Sequence, residues 1–387
     1  MKILVITSRF PYPLEKGDKL RAFHHIKELS KNNEVLLFSL SDIPVHPDSM
    51  NELKKYCSNI RVIRFTKASI LFNLVRGFFG NLPFQVGYFY SAKAEARFID
   101  YVAKHQPQHI YCQLIRTAEY AKDMLRPKTL DYMDAFSKGI ERRMNTAPWY
   151  LKPFLKWEYT RLVKYEKNIF KHFNHKTIIS EQDKAMIQHP KNTSIVVIPN
   201  GVDFNYFRPM EKKKEFEIFF NGNMNYPPNV ESVEFIVKKV MPLVKQKNKN
   251  IRLLISGSSP SRKVLALRSE SVVVSGWVND VRENFAKSRI LVAPMQISIG
   301  LQNKLLEAMA MQIPCITSSL ANNALGAESG KEILIADTPE KYAEHIIFLL
   351  ENEDAAKKIA VNAYRFVTNN FNWNKTTAKL EKLFQPS

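Results

Sequence analysis

One stretch of the chain, residues 290–318, constrains the fold more than any other. An apolar run over residues 290–293 stops at Pro294 and has the length of a buried parallel strand. A loop containing Gly300 follows, then a series of strong helix formers, and then a second short apolar run. Strand, loop, helix and strand in this order form a βαβ unit, in which ligands bind beyond the carboxyl ends of the strands.

The predicted helix of this unit places charged side chains near its start. Lys304, Glu307 and Met311 are spaced to share one face. A lysine in the first turn is unfavourable for the helix dipole, and a diphosphate bound at the helix start would explain it. Glu307 is then placed to accept hydrogen bonds from ribose hydroxyls. The alternative is a surface Lys–Glu pair that contributes ~0.3 kcal/mol.

The segment over residues 300–310, GLQNKLLEAMA, resembles the nucleotide-sugar signature of GT-B glycosyltransferases of family 4. It is most similar to the bacterial exopolysaccharide-type sugar transferases, whose helix opens with an Asn-Lys pair. The resemblance implies an α/β protein with two Rossmann-like, doubly wound domains facing a central cleft. Many members carry two glutamates. Glu307 matches the second, whereas Ile299 stands in place of the first, so donor-sugar recognition and retention at the anomeric carbon stay open.

The resemblance also implies which residues hold a nucleotide-sugar donor. They follow predicted strands of the second half, in glycine-containing turns and at the helix start. Gly276, Trp277 and Val278 would lie against the nucleobase, although Trp277 equally suits a packing role. Lys304 would stabilise the leaving diphosphate. The full donor set is Gly222, Asn223, Gly257, Gly276, Trp277, Val278, Met295, Gly300, Leu301, Gln302, Asn303, Lys304 and Glu307.

The first half of the chain carries the predicted acceptor side. A strand over residues 2–7 is followed by a loop with Arg9, Gly17 and Asp18, which resembles the flexible amino-terminal loop of the same family. Asp134 follows another predicted strand, where a general base for an acceptor hydroxyl would belong. The alternative for Asp134 is the N-cap of the next helix.

The predicted domain boundary lies near residue 198. The sequence IPNGVD over residues 198–203 resembles the family's crossing between domains. We therefore predict an acceptor-binding domain over residues 1–198, completed by a terminal helix over residues 371–387, and a donor-binding domain over residues 199–370.

The charge of the chain favours an anionic partner. The sequence holds 57 Lys and Arg against 37 Asp and Glu, a net charge of +20 concentrated in the first 200 residues. Two segments, residues 70–84 and 149–165, interleave aromatic residues with basic ones. They predict peripheral contact with an anionic membrane. The alternative is that they cover the sheet and that their lysine stems snorkel at its rim.

Other patterns narrow the class of protein. No window approaches the ~20 apolar residues of a membrane span. Cys57, Cys112 and Cys315 are few, odd in number and far apart, so we expect buried thiols in a cytoplasmic protein. The alternative is a peripheral placement on the inner face of the plasma membrane. No HExxH, CxxC or DxD motif is present. We therefore expect no metal and no cofactor.

The resemblance thus implies a glycosyltransferase of exopolysaccharide or cell-envelope synthesis. It would move a sugar from a UDP- or GDP-type donor to a hydroxyl of a glycan or lipid-linked precursor. The family implies retention at the anomeric carbon, which Ile299 leaves open. The base, the sugar and the acceptor are left open. Two alternatives are a nucleotide-sugar epimerase of the same fold and a basic nucleic-acid-binding protein. For the latter no recognition helix or exposed aromatic sheet motif is found, so we predict no nucleic-acid partner.

Overall fold

A computed structural model of the protein describes residues 1–296 and 300–385. The chain forms two compact units. The first runs from Met1 to Pro199 and includes the segment that begins at Trp373, and the second spans Asn200–Asn372. The sequence predicted the corresponding boundaries at residues 198 and 371.

The first unit is built on a parallel sheet of seven strands, in the order β3-β2-β1-β4-β5-β6-β7. The chain adds strands outward on one side of β1 and then returns to add β4 on its other side. The central strands are short and buried on both faces, as parallel strands between two helix layers must be, whereas the two edge strands are partly exposed. The strands are β1 (Lys2–Thr7), β2 (Glu34–Ser41), β3 (Asn59–Arg64), β4 (His109–Gln113), β5 (Lys128–Asp131), β6 (His175–Ile178) and β7 (Val196–Val197).

Helices connect these strands and cover both faces of the sheet. The helix after β1 begins at Gly17, so Gly17 and Asp18, which were predicted in the loop after β1, lie in its first turn. The helices are α1 (Gly17–Leu29), α2 (Pro47–Lys54), α3 (Lys67–Phe79), α4 (Phe84–Gly87), α5 (Ala92–His105), α6 (Ala118–Ala121), α7 (Phe136–Thr146), α8 (Lys152–Ile169) and α9 (Glu181–Met186). Short 3-10 turns precede or follow several of them, and one of these, Trp149–Leu151, leads directly into α8.

The second unit repeats the architecture with six parallel strands, in the order β10-β9-β8-β11-β12-β13. The order reverses between β8 and β11, and such a switch point leaves a crevice at the carboxyl ends of the strands. The strands are β8 (Phe216–Asn221), β9 (Leu253–Ser256), β10 (Val272–Gly276), β11 (Ser288–Ala293), β12 (Cys315–Thr317) and β13 (Leu334–Ile335).

The helices of the second unit pack on an apolar core of strand residues. A π-helical turn, Ile236–Val240, joins the first two. They are α10 (Pro227–Phe235), α11 (Met241–Lys247), α12 (Arg262–Leu265), α13 (Val281–Ala286), α14 (Asn303–Ala310), α15 (Ser319–Leu325), α16 (Pro339–Glu351) and α17 (Glu353–Asn370). The last helix, α18 (Trp373–Lys382), belongs to the first unit.

Helix α18 is tied to α1 by specific contacts. The ring of Trp373 stacks on His24 with centroids 4.7 Å apart. Asn33, just beyond α1, donates through Nδ2 to Glu381 Oε1 at 2.7 Å. The chain end therefore completes the helix layer of the first unit.

The structure agrees with the predicted α/β class, with two parallel sheets that are both doubly wound. The three cysteines are buried and free, as expected. In the part of the chain that is described, no helix is long and apolar enough to cross a bilayer.

Candidate active site

The carboxyl edge of the second sheet brings the predicted donor residues together. Gly222 follows β8, Gly257 follows β9, and Gly276 ends β10, which are neighbouring strands. Met295 lies just past β11, on the other side of the switch point. Four chain segments that are far apart in sequence thus meet at one rim.

The glycines allow the main chains at this rim to touch. A Cβ on Gly257 would lie 1.7 Å from the carbonyl oxygen of Gly222, and Gly257 itself has a φ of 135°. The amide of Gly257 donates to the carbonyl of Gly276 at 2.9 Å. Only glycine fits such a backbone crossing, which leaves the rim free of side chains at these points. A ligand can therefore approach the main chain closely.

Helix α14 points its start at the same rim. Gln302 is its N-cap residue, and within the described residues no side chain caps the helix start. Amides in the first turn of a helix lack intrahelical partners and attract anions. The helix register places Lys304 in this first turn, as the sequence predicted.

The Lys304 ammonium turns inward instead of reaching solvent. Its Nζ donates to Asn229 Oδ1 at 2.8 Å and lies 4.1 Å from the centroid of the Phe220 ring. Lys304 is only 8% exposed. Among residues 1–296 and 300–385, no carboxylate lies within ion-pair distance of it. The alternative of a surface Lys–Glu pair is therefore wrong.

Burial without a countercharge perturbs both charged groups of this helix. Desolvation lowers the pKa of Lys304 to about 7, and the nearby Glu307 carboxyl opposes that shift only partly. Desolvation likewise raises the pKa of Glu307 to about 7, against the effect of Lys304. Strongly perturbed groups in a crevice are typical of functional sites. An anion bound here would restore the charged form of Lys304.

A second group of predicted residues meets at the carboxyl edge of the first sheet. Arg9 donates from Nη1 to Asp18 Oδ2 at 2.8 Å. Gln113, at the end of β4, donates from Nε2 to the carbonyl of Asp18 at 2.5 Å. A Cβ on Gly17 would lie 3.2 Å from Cε of Met133. The loops that follow β1, β4 and β5 are therefore in contact.

Asp134 lies in this group with an unsatisfied carboxylate oxygen. Its Oδ1 is buried and has no hydrogen-bond partner among the described residues. Burial raises the pKa of Asp134 to about 7, and the Asp183 carboxylate adds to the shift while Arg116 opposes it. The preceding residue, Met133, has a φ of 63°, a strained value for a side chain of this size.

The alternative role of Asp134 as a helix cap is wrong. Helix α7 begins at Phe136 with Ala135 as its N-cap residue. The amide of Ser137 in the first turn is taken by Glu166 Oε1 at 3.0 Å. The carboxylate of Asp134 is thus spared from a capping role.

Residues 215–352 match the protein family described as "Glycosyl transferases group 1". This part of the chain is a group 1 glycosyltransferase domain. It includes every predicted donor residue from Gly222 to Glu307.

Two proteins are similar to this chain in sequence. A Klebsiella pneumoniae protein described as an uncharacterized 44.6 kDa protein in cps region is 24% identical over 404 residues, covering 98% of this chain and 99% of the relative. An uncharacterized glycosyltransferase of Methanocaldococcus jannaschii is 25% identical over 239 residues, covering 57% of this chain and 60% of the relative.

Solved structures share the whole fold. Sucrose-phosphate synthase from Thermosynechococcus elongatus superposes with a TM-score of 0.70 at 15% identity, covering 99% of this chain and 98% of that one. HepE from Anabaena, in complex with UDP, gives 0.71 at 15% identity, covering 99% of both chains. The predictions of a GT-B fold and of a glycosyltransferase are confirmed.

Several further residues surround the predicted site of the glycosyltransferase domain. Trp277 is 65% exposed, so its packing alternative is wrong. Asn303 Oδ1 accepts from Asn200 Nδ2 at 3.2 Å, and Gln302 Nε2 donates to the carbonyl of Gly300 at 3.2 Å. Ile299, which stands in place of the first family glutamate, lies outside the described residues.

The remaining donor predictions differ in exposure. Met295 and Leu301 are buried, and Val278 is half-buried. Asn223 orders the loop after β8, since its Oδ1 accepts from the amide of Asn225 at 2.9 Å. Met295 supports the rim through its carbonyl, which accepts from the Ser318 hydroxyl at 2.6 Å.

Sequence reasoning missed Asn229, the partner of Lys304. Its Nδ2 donates to the carbonyl of Asn223 at 2.9 Å, which orients its Oδ1 toward the ammonium. A Cβ on Gly222 would lie 2.6 Å from that Nδ2, so glycine at 222 leaves room for the pair. A polar residue in the first turn of α10, after two prolines, was the available signal.

Arg116 was also missed, on the side of the first unit. Its guanidinium lies 4.8 Å from the Phe136 ring and donates from Nη2 to Gln85 Oε1 at 2.8 Å. Desolvation, followed by repulsion from Arg9, lowers the pKa of Arg116 to about 10. It supplies positive charge close to Asp134.

The described residues contain no group of three or more His, Cys, Asp or Glu side chains that could hold a metal ion.

Proposed function

We propose that this glycosyltransferase moves a sugar from a nucleoside-diphosphate sugar to a hydroxyl of a glycan or lipid-linked precursor, with retention at the anomeric carbon. The single observation that carries the proposal is the buried Lys304 ammonium. It lies at the start of α14, beside the glycine rim, with an amide oxygen as its partner. A bound diphosphate would supply the negative charge that the Lys304 ammonium lacks.

On the donor side, the diphosphate would accept hydrogen bonds from the first amides of α14 and from Lys304. Negative charge grows on this group as the glycosidic bond to the sugar breaks. Fixed positive groups in a partly dry site stabilise such charge strongly because they need no reorganisation. Glu307, three residues further along the same helix, would accept hydrogen bonds from the ribose.

The choice of nucleotide is supported by one structural neighbour. HepE from Anabaena has been crystallised with UDP and with UDP-glucose. We therefore propose a uridine nucleotide, with the base against Trp277. The cps-region relative supports a role in making a surface polysaccharide. We include retention because the α14 segment resembles the signature of GT-B glycosyltransferases of family 4, a resemblance that implies retention.

On the acceptor side, Asp134 would accept the proton of the attacking hydroxyl. For retention, the acceptor oxygen must bond to the anomeric carbon on the same face from which the diphosphate leaves. A general base works best when its pKa lies near the working pH, and the pKa of Asp134 is raised to about 7. The proposal needs no metal ion, because Lys304 and the helix start supply the positive charge for the leaving group.

Two substitutions separate the two roles. Lys304→Ala removes a charge-assisted hydrogen bond worth about 2 kcal/mol, so UDP should bind roughly 30-fold more weakly. Asp134→Asn should leave UDP binding unchanged and lower sugar transfer by about 10²–10⁴-fold. Calorimetry with UDP and turnover with a radiolabelled UDP-sugar measure the two effects.

The matched control is Lys357→Ala, which removes an exposed lysine of α17 and should change neither quantity. If Lys304→Ala binds UDP as tightly as the wild type, the phosphate role of Lys304 is wrong. Full transfer activity in Asp134→Asn would remove Asp134 from catalysis. GDP and ADP, tested beside UDP, establish the base.

A further inference from the structure

Helix α3 and the segment that leads into α8 present apolar side chains to solvent. Leu71 and Phe72 on α3 are 64% and 66% exposed, and Val75 lies on the same side. Trp149 and Tyr150, just before α8, are 82% and 62% exposed. Large apolar residues exposed together, in contrast to single ones, mark an interaction surface.

The two segments are fastened together into one surface. The rings of Phe78 and Trp157 have centroids 5.2 Å apart. Arg161 of α8 donates from Nη2 to the carbonyls of Gly77 at 2.6 Å and Gly80 at 2.7 Å, at the end of α3. Its guanidinium also lies 4.3 Å from the Trp157 ring. The exposed aromatic side chains are therefore carried by two segments that these contacts hold together.

The exposed charges carried by these two segments are of one sign. Lys67, Arg76, Lys152 and Lys156 are exposed on the same segments. Residues 66–83 and 142–157 contain no Asp or Glu. The next carboxylate along the chain, Glu158, is buried and accepts from the amides of Phe84 and Gln85. Nothing acidic on these segments would oppose an anionic partner.

We propose that this aromatic–basic surface, made of α3 and residues 149–156, docks the first unit on the anionic headgroups of a lipid bilayer. Trp and Tyr rings favour the boundary between headgroups and acyl chains, and lysines beside them reach the phosphates. In such interfacial binding, the apolar side chains enter only the outer part of the leaflet.

A second copy of the chain is a poorer occupant of this surface. Two identical surfaces would bring the same lysines and arginine face to face, and no acidic side chain of these segments would offset the repulsion. A bilayer that contains phosphatidylglycerol supplies negative charge and an apolar interior together. The inference does not depend on the proposed sugar transfer.

Flotation of the full chain with vesicles tests the proposal. The chain should float with vesicles of phosphatidylcholine and phosphatidylglycerol, and not with phosphatidylcholine alone. Trp149→Ser/Tyr150→Ser should weaken binding at least tenfold, because both rings that would enter the headgroup boundary are lost. Both rings are exposed, so their removal leaves the fold intact. Lys152→Gln/Lys156→Gln should weaken it roughly 30-fold, at about fivefold for each lysine near an anionic surface.

Matched controls lie elsewhere on the chain. Lys357→Gln/Lys358→Gln removes two exposed lysines of α17, and Leu125→Ala removes an exposed apolar side chain of the first unit. Both should float as the wild type does. The proposal is overturned if the wild type fails to float, if it floats equally with phosphatidylcholine alone, or if the two surface variants float normally. Dimers that the Trp149→Ser/Tyr150→Ser change dissociates would also overturn it, by placing a second copy on the surface.

Discussion

Burial changes the acid–base chemistry of a few side chains in this protein. Lys304 exchanges water for an amide oxygen and an aromatic face, which leaves its positive charge uncompensated. Asp134 loses water without gaining a partner for Oδ1. Both groups have a pKa of about 7 in the folded protein. A change of pH near neutrality therefore changes their charge.

The affinity for UDP should fall as the pH rises from 7 to 9. Binding needs the ammonium form of Lys304, and because the folded pKa is lowered to about 7, that form is lost above this pH. The dissociation constant should rise with pH above the pKa and level off at roughly 30-fold, the loss expected for Lys304→Ala. The Glu307 carboxyl, with a pKa of about 7, is ionised over most of this range and adds little further change.

Calorimetric titrations with UDP between pH 7 and 9 measure this dependence. Lys304→Gln, which keeps a polar side chain but cannot titrate, should bind UDP weakly and with little dependence on pH. An equal slope in the wild type and in Lys304→Gln would assign the titration to another group.

At the scale of elements, the second unit places its site by bringing loops against one another. The loop after β8 touches the turn after β9 through main-chain atoms, and the turn after β9 bonds to the end of β10. Helix α14 then approaches from the other side of the switch point. A side chain added at this junction displaces the groups behind it, because packed main-chain atoms cannot yield.

Gly222→Ala adds only one methyl group but should disturb the site strongly. The new Cβ would lie 2.6 Å from Asn229 Nδ2 and 3.2 Å from Lys304 Nζ, so the pair must move. We expect the free energy of unfolding to fall by about 1–3 kcal/mol, as for overpacked sites. UDP binding should weaken at least tenfold, since Lys304 leaves its position. Urea unfolding and calorimetry measure the two effects.

Gly326→Ala is the matched control for this change. Gly326 ends α15 with a φ of 73°, and a Cβ there would meet nothing within 4 Å. It should lose a similar amount of stability through backbone strain, about 1 kcal/mol, and keep UDP binding. If both variants bind UDP equally well, displacement of Lys304 is not the mechanism.

At the scale of the whole molecule, one buried ion pair joins distant parts of the first unit. Arg21 of α1 donates to both carboxylate oxygens of Asp131 at the end of β5, at 2.6 and 3.0 Å. It also donates to the carbonyl of Ile198, beyond β7, at 2.9 Å. Tyr111 and Thr177 hydroxyls complete the shell of Asp131. The network ties α1 to the strands that carry the site of this unit.

Asp131→Asn should destabilise the first unit by about 3–5 kcal/mol, because it leaves the Arg21 charge buried and unpaired. Arg21 opposes the desolvation of Asp131 and holds the pKa of that carboxyl below its usual value. The stability from the pair is therefore fully present above the unfolded pKa, about 3.9, and is lost as the pH falls from there through the lower folded pKa.

Urea unfolding at pH 7 and at lower pH measures this contribution, with Glu328→Gln as control. Glu328 forms an exposed ion pair with Lys331, and its loss should not change the unfolding free energy measurably. An Asp131→Asn protein as stable as the wild type at pH 7 would contradict the assigned role of the network.

The sequence by itself determined the strands, the helix that follows the Gly300 loop and the glycine turns. It did so because apolar spacing, prolines and glycines act over a few residues. It also placed Lys304 in the first turn of α14 and Asp134 after β5, since strand ends and helix starts follow from the same local patterns.

Only the tertiary structure decided what these side chains contact. Asn229 meets Lys304 although 75 residues separate them, and this pairing holds Lys304 as a buried ammonium, which the sequence did not show. Folding likewise left the apolar side of α3 in solvent, where the sequence allowed burial against the sheet. Burial and desolvation depend on neighbours brought from distant parts of the chain, so local patterns do not contain them.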